Sequence, residues 1–101
     1  MAEPTLIQQA LEAVRGLTVS ESHAEEMQLL IKDLEEAKTT LFVRTAEAKP
    51  MLERCARAAA ALKRVASEPG WNDAAETAFS DFERAVSKLR NTILVRTQRA
   101  T

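Results

Sequence analysis

The chain has 101 residues, 46% of them hydrophobic and 29% charged, with two Gly, no Tyr, one Cys and a formal net charge of −1. So much apolar content excludes simple disorder, and the abundance of Ala, Glu, Leu, Arg and Lys with so little Gly is the composition of one all-α domain spanning residues 1–101. No apolar run approaches the roughly 20 residues of a membrane span, and Met1-Ala2-Glu3-Pro4 lacks a basic leader region. One cysteine cannot close an intrachain disulfide, so the expected setting is a reducing cytoplasm with no membrane contact.

The first helix is predicted over residues 5–15. Thr5-Leu6-Ile7-Gln8 fits a capping box, and Leu6, Ile7, Ala10, Leu11 and Val14 form one stripe at helical spacing. Gly16 stands where a C-terminal cap belongs. Ser22-His23-Ala24-Glu25 reads as a second capping box and opens a long central helix over 22–67. Met27, Leu34, Leu41, Ala48, Cys55 and Leu62 recur every seven residues along it, the spacing of helices packed lengthwise. Pro50 interrupts that stretch, but the heptad phase passes through it without a slip. The expectation is therefore a helix kinked near Pro50, with two separate helices as the alternative.

Glu68-Pro69-Gly70 is the strongest stop in the chain. Asn72 or Asp73 can cap the last helix, predicted over 72–98, with Glu76 completing a box from Asp73. Its apolar edge is Ala75, Phe79, Phe82, Val86, Leu89 and Ile93. The short turn forces an antiparallel hairpin in which facing residue numbers sum to about 138. Phe79 and Phe82 then meet the small side chains of Cys55, Ala56 and Ala59. Neither terminal helix reaches the middle of a continuous central helix, which leaves Leu34, Ala37, Leu41 and Phe42 uncovered. A homodimer completing a four-helix bundle is the expected remedy; if Pro50 splits the helix, a compact monomeric bundle replaces it.

Candidate chemistry is sparse. His23 is the only histidine and is expected to be exposed at a helix start. Cys55 sits at a core position far from any activating histidine. Glu25-Glu26 and Glu35-Glu36 are adjacent pairs whose side chains diverge by about 100° on a helix, so they do not converge as an acid and base would. Trp71 either closes the hairpin end over Val65 and Ala66 or anchors a partner. No catalytic residue, metal ligand or cofactor is expected, and the chain is not read as an enzyme.

Charge is the one strong asymmetry. Residues 1–48 carry four basic and nine acidic side chains, residues 49–101 ten basic and six acidic, and no acid follows Glu83. The expected function is a non-enzymatic protein–protein interaction module: an adaptor, regulator, inhibitor or chaperone-like factor acting as an oligomer. Its expected interaction residues are Leu34, Leu41, Phe42, Arg84, Lys88 and Arg96. The alternative is a nucleic-acid-associated protein using the basic last helix, against which a pI near 5.9 argues.

Overall fold

The computed structural model describes residues 5–66 and 71–99, with the side chains of the last helix described through Val95. Four helices follow in order: α1 (Leu6–Val14), α2 (Ala24–Lys38), α3 (Lys49–Ala66) and α4 (Asp73–Arg99). Short 3-10 turns occupy Glu21–His23 and Leu41–Arg44, and no strand occurs among the described residues.

The helix ends are set by local hydrogen bonding. Thr5 caps α1, its hydroxyl accepting from the Gln8 amide at 3.2 Å. Gly16, just past that helix, has φ +74, a left-handed conformation that costs glycine nothing. Asn72 caps α4, its side-chain oxygen accepting from the Ala75 amide at 2.9 Å. The Asp73–Glu76 box does not form: Asp73 is already the first helical residue, the Glu76 amide bonds to the Asn72 carbonyl, and the Glu76 carboxylate meets His23 and Trp71. Nor does Ser22 cap a helix: the 3-10 turn Glu21–His23 precedes α2, which starts at Ala24. The Glu68-Pro69-Gly70 stop lies outside the described residues.

The continuous central helix over 22–67 is not what forms. α2 ends at Lys38, and ten residues separate it from the start of α3 at Lys49. Threonine chemistry makes the break. The Thr39 and Thr40 hydroxyls donate back to the Glu36 and Ala37 carbonyls at 2.8 and 2.7 Å, and their amides close i−3 bonds to the same carbonyls. The backbone then turns extended at Thr40, with ψ 153, and again at Thr45, with ψ 155. Thr45 repeats the device, donating from its hydroxyl to the Phe42 carbonyl and accepting from the Ala48 amide. Pro50 does not kink a helix. It lies in the first turn of α3, where an amide has no intrahelical partner to lose.

Splitting the helix changes what covers what. α3 is the hub, packed extensively against both α1 and α4, while α2 touches α4 and α1 more lightly. Only six residues separate Ala66 from Asp73, so α3 and α4, which pack along one another, run antiparallel, and Arg57, Ala58 and Asp81 meet at one surface dip near the expected register. Leu6 and Gln9 lie beside Glu53, Ala56 and Arg57, and Gln9, Glu12 and Ala13 beside Ala60, Lys63 and Arg64, so α1 runs parallel to α3. α2 runs parallel to α4, because His23 meets Glu76 and Asp33 meets Arg90.

The apolar stripes converge on one core in which Leu11, Leu34, Leu62, Phe82 and Leu89 are fully buried. Met27, Ala48 and Cys55 are also buried, so the heptad positions hold except at Leu41, which the break turns outward. Leu34 and Ala37, expected to await a second chain, are covered within this one. The Cα radius of gyration, 13.7 Å, is close to the ~13 Å of a compact 100-residue domain. This is the helical bundle of the split-helix alternative.

Candidate functional site

Two features stand out from the core, and both belong to the α2/α4 half of the molecule. The first is a seam of ionisable groups between the two helices. His23, at the end of the 3-10 turn that leads into α2, points Nε2 at both oxygens of Glu76 on α4, each 2.7 Å away. Its ring stacks on Phe79 with centroids 4.5 Å apart and planes 21° apart. Trp71 closes the cluster, donating Nε1–H to Glu76 Oε2 at 2.8 Å and meeting Phe79 edge-on at 6.2 Å. On the other side of the ring, Nδ1 lies 3.6 Å from Glu26 Oε2. Further along, Glu83 lies beside Glu26, and Asp33 pairs with Arg90 at 3.6 Å.

These contacts shift the titrations in opposite directions. The hydrogen bond to Glu76 raises the His23 pKa above its ordinary value, against some desolvation and with help from the charges of Glu76 and Glu26. Glu76 is held below the usual carboxylate range, first by the Trp71 N–H and then by His23. Glu83 is pushed up by burial and by the neighbouring Glu26. His23 is therefore not a solvated helix-start residue: only 21% of its side chain is exposed. Trp71 packs against the core with His23 and Phe79 as its ring partners, where the sequence pointed to Val65 and Ala66. Sequence spacing gave no hint of the His23–Glu76 pair, since the partners are 53 residues apart.

The second feature is an exposed apolar and charged layer. Leu41 is 78% exposed, Leu29 61%, Val95 49% and Leu94 47%. All four lie on α2, α4 or the turn after α2, and α1 and α3 contribute no large exposed hydrophobic among the described residues. On α4, Arg84, Lys88, Asn91 and Val95 line a shallow trough with a mostly aliphatic floor. On α2, Glu25, Gln28, Leu29, Lys32 and Glu35 line a second.

Of the expected interaction residues, Arg84, Lys88 and Leu41 are exposed, and Phe42 is half-buried against the core. Leu34 is excluded as a contact residue by its complete burial. The Arg96 side chain lies outside the described residues. The adjacent carboxylates go separate ways, Glu26 to His23 and Glu35 to Arg15 at 3.3 Å. Cys55 is buried, and burial pushes its thiol up to about 11, the opposite of what a nucleophile requires. No helix among the described residues is long and apolar enough to cross a membrane, and no group of three or more His, Cys, Asp or Glu is placed to hold a metal ion. Comparison with family models, with characterised protein sequences and with solved structures finds no match for this chain.

Proposed function

We propose that this chain is a non-enzymatic helical protein–protein interaction module, an adaptor, regulator, inhibitor or chaperone-like factor of the cytoplasm that acts as an oligomer. The observation that carries this reading is the layer on α2 and α4, where exposed leucines and a valine stand among charged side chains of both signs. Apolar side chains supply contact area, and flanking charge selects the partner and speeds encounter. Arg84 and Lys88 favour an acidic surface. Burial of Leu34 removes one of the original reasons for expecting a homodimer, so oligomerisation now rests on Leu29, Leu41, Leu94 and Val95.

The test is capture of partners from the native source by the wild-type chain and by the Arg84→Glu/Lys88→Glu/Arg96→Glu variant. The reading expects a discrete, salt-sensitive partner set that the variant loses while its helical content, followed by circular dichroism, stays the same. Capture unaffected by the three reversals would reduce the basic edge to a solvated face. A second reading, nucleic-acid association, draws on the acid-free run after Glu83 with its Arg84, Lys88, Arg90, Arg96 and Arg99. Salt-dependent retention on a DNA or RNA column, lost in the same variant, would favour it over the first.

A further inference from the structure

We propose that Arg54 and Arg57 of α3 join Arg84 and Lys88 of α4 in one basic face, and that this face docks an acidic helix of a partner protein. The proposal rests on the reading of the chain as a protein interaction module, and it names the chemistry of the partner.

The face follows from register. Arg57 and Ala58 share a surface dip with Asp81, the arrangement in which facing residue numbers sum to about 138. Arg54 lines the same dip and stands level with Arg84. At 100° per residue, Arg54 and Arg57 lie on the side of α3 opposite the buried Ala59. Asp81, Arg84 and Lys88 lie on the side of α4 opposite the buried Val86. All five are exposed, and the shared dip puts both sides on one outer face of the α3/α4 hairpin.

The cations of this face are not neutralised as others are. Elsewhere arginines bridge helices to acids: Arg15 beyond α1 to Glu35 on α2 at 3.3 Å, and Arg90 on α4 to Asp33 on α2 at 3.6 Å. Among the described residues Arg54, Arg84 and Lys88 form no ion pair. Arg57 reaches only Glu53 of its own helix, at 3.7 Å, with 80% of its side chain exposed. Four cations thus stand against two acids, Glu53 and Asp81.

Spacing and sign define the occupant. The two arginines of α3 and the two cations of α4 flank the groove between the helices as a pair of rails. They extend from the level of Asp81 to Lys88, about 10 Å at ~1.5 Å per residue. Two turns of a helix with carboxylates at i, i+4 and i+7 match that length, and a helix lying in the groove meets both rails. Arginine suits the contact, because its planar fork pairs with a carboxylate through two hydrogen bonds. Asp81, between the rails, favours protein over nucleic acid. A phosphate backbone is negative at every step and would set a charge over Asp81, whereas a protein helix can place a neutral or basic side chain there.

The test is an NMR titration of amide shifts with an alanine-rich helical peptide carrying glutamates at i, i+4 and i+7, and with its lysine counterpart. The glutamate peptide should shift amides around Arg54, Arg57, Arg84 and Lys88 saturably, and the effect should fade at high salt. The lysine peptide should shift none of them. Arg54→Gln/Arg57→Gln and Arg84→Gln/Lys88→Gln should each weaken binding about tenfold with unchanged helical content. Arg15→Gln/Lys32→Gln, an equal loss of charge off this face, should leave binding as it was. Absence of a saturable shift, shifts spread over the whole surface, or equal losses in all three variants overturn the proposal. Tighter binding of a DNA duplex at the same amides overturns it for nucleic acid, and concentration-dependent shifts there without peptide overturn it for a second copy. An α3 variant that binds like the wild-type chain also overturns it, while partner capture that depends on Arg84 and Lys88 would leave the broader interaction reading standing.

Discussion

Helix α4 meets its two neighbours by different chemistry. Toward α3 the contact is built from buried apolar groups: Phe82, Ala85, Val86 and Leu89 on α4, with Leu52, Cys55, Ala59 and Leu62 on α3. Toward α2 a row of polar contacts runs beside the buried Met27, Leu30 and Leu34: Glu76, Glu83 and Arg90 on α4 face His23, Glu26 and Asp33. Large rings against small side chains resist pH and salt, because close packing is set by shape and the one titratable member, Cys55, is pushed up to about 11. A seam of half-exposed charges adds less stability and responds to both. The comparison separates a permanent half of the fold from an adjustable one, and the adjustable helix is also the one that carries Leu29.

Phe82→Ala tests the permanent contact most severely. The side chain is fully buried, and truncation leaves a cavity beneath the α3 wall, at a cost of about 3–5 kcal/mol. Denaturant unfolding should show that loss at every pH between 5 and 8; a loss confined to one end of that range would erase the distinction between the two contacts.

The seam should reveal itself through pH. His23 is raised above its ordinary 6.5, so its contribution is complete below that value and disappears as pH rises through the raised one. Glu83, also raised, takes up its proton in the same direction and tightens the seam on acidification. Glu76 is lowered from 4.5, so its contribution is present above that value and is lost as pH falls through the lowered one. The α2–α4 contact is therefore tightest between about pH 5 and 6.5. The chain has one histidine and one tryptophan, in contact, which makes both easy to follow. An NMR titration should give His23 a pKa above 6.5, and Glu76→Gln should move it back toward 6.5 and blunt the pH dependence of Trp71 fluorescence. An unshifted His23 in the wild-type chain would show that the pair does not hold in solution.

Arg90→Ala gives the smallest expected effect. Its pair with Asp33 is 3.6 Å long and the arginine is largely exposed, so the change should cost at most about 1 kcal/mol and shrink further in high salt. A loss as large as that of Phe82→Ala would mean that α2 is held by charge more than by Met27, Leu30 and Leu34.

Much of this fold was legible in the chain. The stripes of the first and last helices, the Thr5 cap, the Gly16 turn and the facing of residues that sum to about 138 depend on spacing and on the backbone preferences of single residues. The break at 39–48 was present in the sequence too, as Thr39-Thr40 and Thr45. The unbroken heptad outweighed them, although hydroxyls that compete for backbone carbonyls and β-branched side chains both weaken a helix there. That misreading carried the Pro50 kink with it, and the exposure of Leu34.

The sequence by itself determined that the protein is helical, where most helices start and stop, and which side of each is apolar, because these follow from periodicity and capping within a few residues. Which helix covers which was decided only in three dimensions. The same apolar stripe can be satisfied by α1, by α4 or by another chain, and the choice depends on the path of residues 39–48. The His23–Glu76–Trp71 cluster likewise came from tertiary structure alone. Its His23–Glu76 hydrogen bonds act over less than 3 Å between side chains 53 residues apart, a proximity that no local pattern encodes.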